Sequence, residues 1–319
     1  MKTFWFFNHY ASTPDQPSTS AFFVGRELVR RGNRVTFFAS AHNYYFQRRT
    51  KGRRWSLWSS ETVEGVTFVW ISTTPASARP VLRMVNMLSY AIVAFLAGLF
   101  RRERPDYVIM WGWGVMNAVA IQEAANIRFP MENFIGIWWS GSENDVRPAG
   151  QGAHGYKSLA MHGTGRDYPV YDDIQQYVID RGLAAGAGDQ VGTVMYSRGL
   201  YAAMLAVEAA KVAQEIHGVA EITPAMMRDG MANLVISEEL MEELGLPNFG
   251  PAFEVSCQNH GGTGQAMIQQ WDANEGTWNL ITDWIMPDRD LIMEMVMEDS
   301  MAYAAENNIE PQCLERSGG

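Results

Sequence analysis

Residues 106–139, DYVIMWGWGVMNAVAIQEAANIRFPMENFIGIWW, decide the fold. Asp106–Trp111 is an apolar run that stops at glycine, which reads as a buried strand. Val115–Ile127 places apolar residues at helical spacing. Phe134–Trp139 is a second apolar run and ends in the polar turn Ser140-Gly141-Ser142-Glu143-Asn144-Asp145. Strand, helix and strand in that order predict a parallel βαβ unit, with ligand sites beyond the carboxyl ends of the strands.

Upstream, the same pattern recurs. Phe4–Phe7 reads as a strand, residues 8–20 as a loop rich in turn formers, and Arg26–Arg31 as the end of an amphipathic helix stopped by Gly32-Asn33. Arg34–Ser40 and Val63–Trp70 read as further strands, and Arg83–Phe100 as a helix. Downstream, Gly192–Met195 and Ala252–Cys257 read as strands, and Arg198–His217 as a long helix. Ile222–Gly230 is a shorter helix opened by Thr223-Pro224. Met267–Trp271 and Trp278–Trp284 alternate like a hairpin. The expected class is α/β.

The 319 residues suffice for two domains, and charge divides them. Residues 1–105 hold 15 Lys and Arg against 5 Asp and Glu, a net of 15 − 5 = +10. Residues 106–319 hold 10 against 30, a net of 10 − 30 = −20. The reversal predicts a boundary at 105/106, with a basic segment suited to an anionic neighbour and an acidic, soluble one.

Composition excludes several classes. Two cysteines, Cys257 and Cys313, rule out a disulfide-built scaffold and a four-cysteine zinc site. They leave one disulfide or two idle thiols open. The six histidines have no metal-ligand spacing. Gly261-Gly262-Thr263-Gly264 lacks the Lys-Ser/Thr of a phosphate loop, and Glu238, Glu239, Glu242 and Glu243 read as a solvated helix face. No catalytic constellation, cofactor, metal or nucleic-acid partner is expected. Phe4–Phe7 is too short for a secretory core, so the chain as it stands reads as cytoplasmic. Met84–Phe100, at the lower edge of membrane-spanning length, reads as a core helix or a membrane-associated one.

Candidate ligand contacts cluster at strand ends. Trp111 and Trp113 follow one strand; Trp139, Ser140, Ser142 and Glu143 follow the next. Aromatic faces beside a carboxylate suit an ammonium group; a solvated, capped turn is the alternative. Arg48, Arg49, Arg53 and Arg54, beside Trp55 and Trp58, read as a solvated loop or as a contact for anionic lipid or a lipid-phosphate acceptor.

Two resemblances sharpen these expectations. FWFFNHYASTPDQPS (4–18), RELVRRGNRVTFFASAHNYY (26–45), EGVTFVWISTTP (64–75) and RPDYV (104–108) resemble the amino-terminal, acceptor-holding domain of family-4 glycosyltransferases. The glycine-containing turn of that family is replaced here by Thr19-Ser20-Ala21-Phe22. WGWGVMNAVAIQEAA (111–125), residues 134–159, residues 191–214, residues 253–272 and ENNIEPQC (306–313) resemble periplasmic solute-binding proteins of branched-chain amino acid transporters. The second resemblance implies two α/β lobes around a ligand cleft, with Tyr196 joining the tryptophans as an apolar wall. It also implies cysteines at both Cys257 and Cys313, able to pair in an oxidising compartment.

The expectation is therefore a chimera: two Rossmann-like parallel-sheet lobes of periplasmic-binding-protein type, the first glycosyltransferase-like. Its function would be solute binding for an ABC-type amino acid or amide transporter. The alternatives are a glycosyltransferase acceptor domain or a fusion without evolved function.

Overall fold

A computed structural model describes residues 1–16, 20–75, 79–186, 188–256 and 259–310. Cys257 and Cys313 lie outside the described residues. The chain forms two compact units: Met1–Ser158 with Gln270–Gly276, and Leu159–Gln269 with Thr277–Gly319. The boundary expected at 105/106 thus falls inside the first unit.

The first unit begins with β1 (Thr3–Phe7), α1 (Ser20–Arg30) and β2 (Arg34–Ser40). The short bridge β3 (His42–Asn43) and β4 (Arg48–Arg49) follows, then β5 (Trp58–Val63) and β6 (Val66–Ile71). The remaining elements are α2 (Pro80–Leu99), β7 (Tyr107–Met110), α3 (Val115–Asn126), β8 (Phe134–Gly136), α4 (Glu143–Val146) and β9 (Lys157–Ala160), the last leading into the second unit. These seven strands, part of a nine-stranded sheet, run in the order β9-β8-β7-β1-β2-β6-β5. Every pairing is parallel except β5 with β6.

β7 pairs directly with β1, Phe4 opposite Tyr107 and Phe7 opposite Met110. The change in charge therefore runs through one sheet and does not separate two folding units. Its sides are covered unequally along the chain. Phe6, Phe37 and Phe68 face α1 and pack on Phe22, while Trp5, Phe38 and Val69 face Tyr90, Val93 and Ala97 of α2. Burial on both faces explains why these strands read as continuous apolar runs and do not alternate.

The single strand expected over Val63–Trp70 is instead the second arm of a hairpin. Glu64 and Gly65 both take positive φ, 47° and 82°, as a two-residue turn of this twist demands. Polar Ser59, Ser60 and Glu61 hid the first arm, which is an edge strand with solvent beyond it. α2 is long and apolar enough to cross a membrane, but Asn86, Tyr90, Val93, Ala94, Ala97 and Gly98 are buried along one side, against the sheet.

The second unit holds α5 (Pro169–Ile174), α6 (Val194–His217), α7 (Pro224–Ala232), β10 (Val235–Ile236), α8 (Glu238–Glu243) and β11 (Phe253–Glu254). β12 (Met267–Asp272), whose residues from Gln270 onward belong to the first unit, and β13 (Thr277–Leu280) form the expected hairpin, and α9 (Arg289–Asn307) follows. The core of this unit gathers Tyr171, Met204, Ala209, Ile236, Met241, Leu246 and Phe249. Gly230 lets α7 approach α6: a Cβ there would lie 2.1 Å from the Ala209 carbonyl.

The parallel sheet expected of each half is built in the first unit. Among the described residues of the second, β10 and β11 pair antiparallel over two residues. Gly192–Met195 is not a strand. Thr193 caps α6, its hydroxyl accepting from the Tyr196 N–H, so the apolar residues Val194 and Met195 open a helix.

Candidate functional site

The expected strand Phe134–Trp139 ends early. β8 stops at Gly136, and Trp138–Ser140 forms a single 3-10 turn that curls over the carboxyl ends of β7 and β8. This turn brings Trp139 to the WGWG loop after β7. Trp113 and Trp139 stand 5.1 Å apart, tilted by 55°, with Trp138 5.5 Å from Trp139. Trp113 is 64% exposed and Trp139 38% exposed. Two aromatic faces thus stand open to solvent where sheet proteins of this class hold ligands. Trp111 takes a different role, packing half-buried against the core between the sheet and α1.

Beneath the tryptophans lies a buried polar network. Ser140 is fully buried, its hydroxyl 3.1 Å from Asn117 Oδ1 and 3.3 Å from the Gly112 carbonyl. Asn117 Nδ2 donates to the Trp139 carbonyl and to Asp145 Oδ1, each at 3.0 Å. Asp145 Oδ2 accepts from the Ser142 N–H at 2.9 Å and its hydroxyl at 2.7 Å, closing the first turn of α4. Tyr156 donates its hydroxyl to the Ser140 carbonyl at 2.8 Å. Burial, reinforced by the Asp145 charge, pushes the Tyr156 phenol well above its ordinary value, so it stays a neutral donor.

Ser140 and Ser142 were expected to offer hydroxyls to a ligand. Both are instead buried and engaged within this network, which fixes the turn that carries the exposed tryptophans. Asn117, Asp145 and Tyr156, not singled out in the sequence, do the fixing. Glu143 is half-buried at the start of α4. Tyr196 lies in the second unit, half-buried in the first turn of α6 and 6.2 Å from the Tyr171 ring.

At the carboxyl ends of β1 and β2 the space is nearly filled. Gln16 Oε1 accepts from Asn43 at 3.0 Å and Thr50 at 2.9 Å, and the remaining cavity is about 10 Å³, the size of one water. His9 lines it, and burial, with a smaller contribution from His42, holds its pKa at about 4. A cavity of about 350 Å³ lies elsewhere, between Trp58, Val69, Phe100 and Arg101. Among the described residues no group of three His, Cys, Asp or Glu is placed to hold a metal ion.

The four arginines differ in their partners, and Arg49 donates to the Arg53 carbonyl. Arg49 is tied inward, to the Lys51 carbonyl at 3.2 Å and Ser72 Oγ at 3.0 Å. Arg48 lies over Phe46, and Arg54 over Trp55 at 5.5 Å from the ring centre; Trp55 is 92% exposed.

No family model matches the chain, and no curated protein does. Solved structures do. One described as an ABC transporter permease from the Pseudomonas fluorescens group is 25% identical and covers 98% of this chain and 64% of its own, with a TM-score of 0.68. A branched-chain amino acid ABC transporter protein from Thermus thermophilus, with bound valine, is 14% identical over 90% of this chain and 61% of its own, TM-score 0.53. An ABC transporter substrate-binding protein from Aeropyrum pernix is 12% identical over the same shares, TM-score 0.54. The chain thus spans less than two thirds of the length of each. None of the three is a glycosyltransferase. The first likeness omits only about 2% of 319 residues, roughly six, so it takes in nearly all of residues 1–105 as well. The fold of this chain, from its first strand onward, is that of ABC-transporter solute-binding proteins.

Proposed function

We propose that the chain is the solute-binding component of an ABC-type amino acid or amide transporter. The observation that carries this reading is the exposed Trp113–Trp139 pair, held at the carboxyl ends of β7 and β8 by a buried network. Such rings offer apolar area to an aliphatic side chain and negative faces to an ammonium group. Glu143, one turn further on, is the charge partner assigned to that ammonium. The likeness to a structure holding valine supports an apolar amino acid as the ligand.

Affinity should be low. The two serine hydroxyls are already spent, leaving few polar groups in the first unit to fix a zwitterion, and a millimolar site corresponds to only about 4 kcal/mol. Calorimetry with branched-chain amino acids and small amides is the test. Weak binding, further weakened by Trp113→Ala and by Glu143→Gln, is expected. Binding indifferent to both, or turnover of a sugar nucleotide, would overturn the assignment. The outward Arg54–Trp55 pair is assigned a contact with anionic membrane surface, tested by loss of vesicle cosedimentation in Trp55→Ala.

A further inference from the structure

α2 turns a second apolar face outward. Val81, Val85, Leu88, Ile92, Phe95 and Leu99 recur at spacings of four and three, and each is between 41% and 66% exposed. That is the 3.5-residue repeat with which one helix seats against another. The stripe is basic at both ends. Across residues 79–104 stand Arg79, Arg83, Arg101, Arg102 and Arg104 against Glu103, a net of 5 − 1 = +4. Glu103 is itself paired with Arg34 at 2.7 Å.

α9 is the complement. None of its 19 residues is buried. Ile292, Val296 and Tyr303 form an exposed apolar row at helical spacing. Asp299 and Glu306 complete the same four-and-three spacing, each three residues beyond an apolar member, so the stripe alternates apolar and acidic positions along its second half. Across Arg289–Asn307 one arginine faces Asp290, Glu294, Glu298, Asp299 and Glu306, a net of 1 − 5 = −4.

From this complementarity we infer that α2 of one copy of the chain docks on α9 of a second copy. Packing α2 against α2 would set arginine ends against arginine ends in either direction. A lipid surface would cover α2 and leave α9 bare. Pairing α2 with α9 covers both stripes and matches their charges. A 20-residue helix face is roughly 30 Å by 10 Å, so one α2–α9 contact covers roughly 600 Å² over its two faces, the scale of a weak, salt-sensitive association.

The test uses the full chain and two charge-reversed variants, Arg83→Glu/Arg102→Glu and Asp299→Lys/Glu306→Lys. All four positions are exposed, so folding should survive, as circular dichroism would verify. Sedimentation equilibrium of the wild type should show self-association that weakens with added salt. Each variant alone should associate at least tenfold more weakly. Mixed in equal amounts the two should associate again, because each then meets a partner of opposite sign. A wild type that stays monomeric at every concentration would overturn the proposal. So would association that survives reversal on α9, or a mixture no stronger than its components. None of these outcomes depends on whether the tryptophan site binds a ligand.

Discussion

Asn117 Nδ2 donates to Asp145 Oδ1 at 3.0 Å, and both side chains are buried. This bond ties α3 to α4 and stands directly below the turn that holds Trp139. Asp145 has its other oxygen filled by Ser142, so the carboxylate is satisfied only while Asn117 stays in place. Replacing Asn117 with alanine leaves a buried charge one partner short and the Ser140 hydroxyl without its nearest acceptor. Urea unfolding at pH 7 should show a loss of about 2–4 kcal/mol.

Gly136→Ala attacks the same region by volume. A Cβ at Gly136 would fall 2.1 Å from the Tyr156 hydroxyl oxygen and 2.9 Å from the Ser140 carbonyl. Tyr156 must move or the turn must shift. The expected loss is about 1–3 kcal/mol, with a change in tryptophan emission as Trp139 is displaced. Unaltered emission with unaltered stability would show that β8 and Tyr156 are not locked as described.

Acid should destabilise the protein through two histidines. Burial lowers both His9 and His162 to about 4; His42 adds to this at His9, while a bond to the Gly163 carbonyl partly opposes it at His162. Their unfolded value is about 6.5, so between pH 6.5 and 4 the unfolded chain binds protons that the folded one refuses. Stability is therefore full above pH 6.5 and falls as pH drops towards 4. Each histidine contributes roughly 2 kcal/mol of loss between pH 7 and pH 5. Urea midpoints measured across this range should fall, and His162→Gln should flatten the slope.

Trp113→Ala separates binding from folding. The ring is mostly exposed and touches Trp139 alone among the described aromatic pairs. Its removal should change unfolding free energy by less than about 0.5 kcal/mol, the range of surface substitutions, while weakening amino acid binding measurably. A large stability loss would recast the pair as structural.

Much of the fold was legible because burial on both sheet faces writes itself as unbroken apolar runs. Arg34–Ser40 forms a strand over those same residues, and Gly32 stops α1 in the left-handed region, φ 81°. Val194 and Met195 misled because β-branched and long apolar residues suit a helix start as well as a strand, and the deciding signal was the Thr193 cap before them. Trp113 and Trp139 drew notice in the sequence because aromatic residues after a strand stand out, and both are exposed beside each other. Asn117 was not, because it sits at a buried position within an apolar helical pattern and its partner is 28 residues away. Ser140 and Ser142 were recognised by type, but only the turn at Trp138 decides that they point inward. The 105/106 boundary followed charge, a surface property, whereas β1 and β7 are joined by backbone bonds that composition does not record.

The return of Gln270–Gly276 to the first unit has a consequence for how the protein is made. Trp271 exchanges backbone bonds with the segment before β9: its N–H donates to the Tyr156 carbonyl and its carbonyl accepts from the Gly155 N–H, both at 2.9 Å. The ribosome delivers that strand only after 276 − 158 = 118 further residues have emerged. At ordinary synthesis rates this is a wait of roughly 6–24 s, during which the β9 side of the first sheet stands open. A nascent chain arrested near residue 200 should therefore be a substrate for chaperones that bind exposed strand edges, and release should follow translation past Gly276.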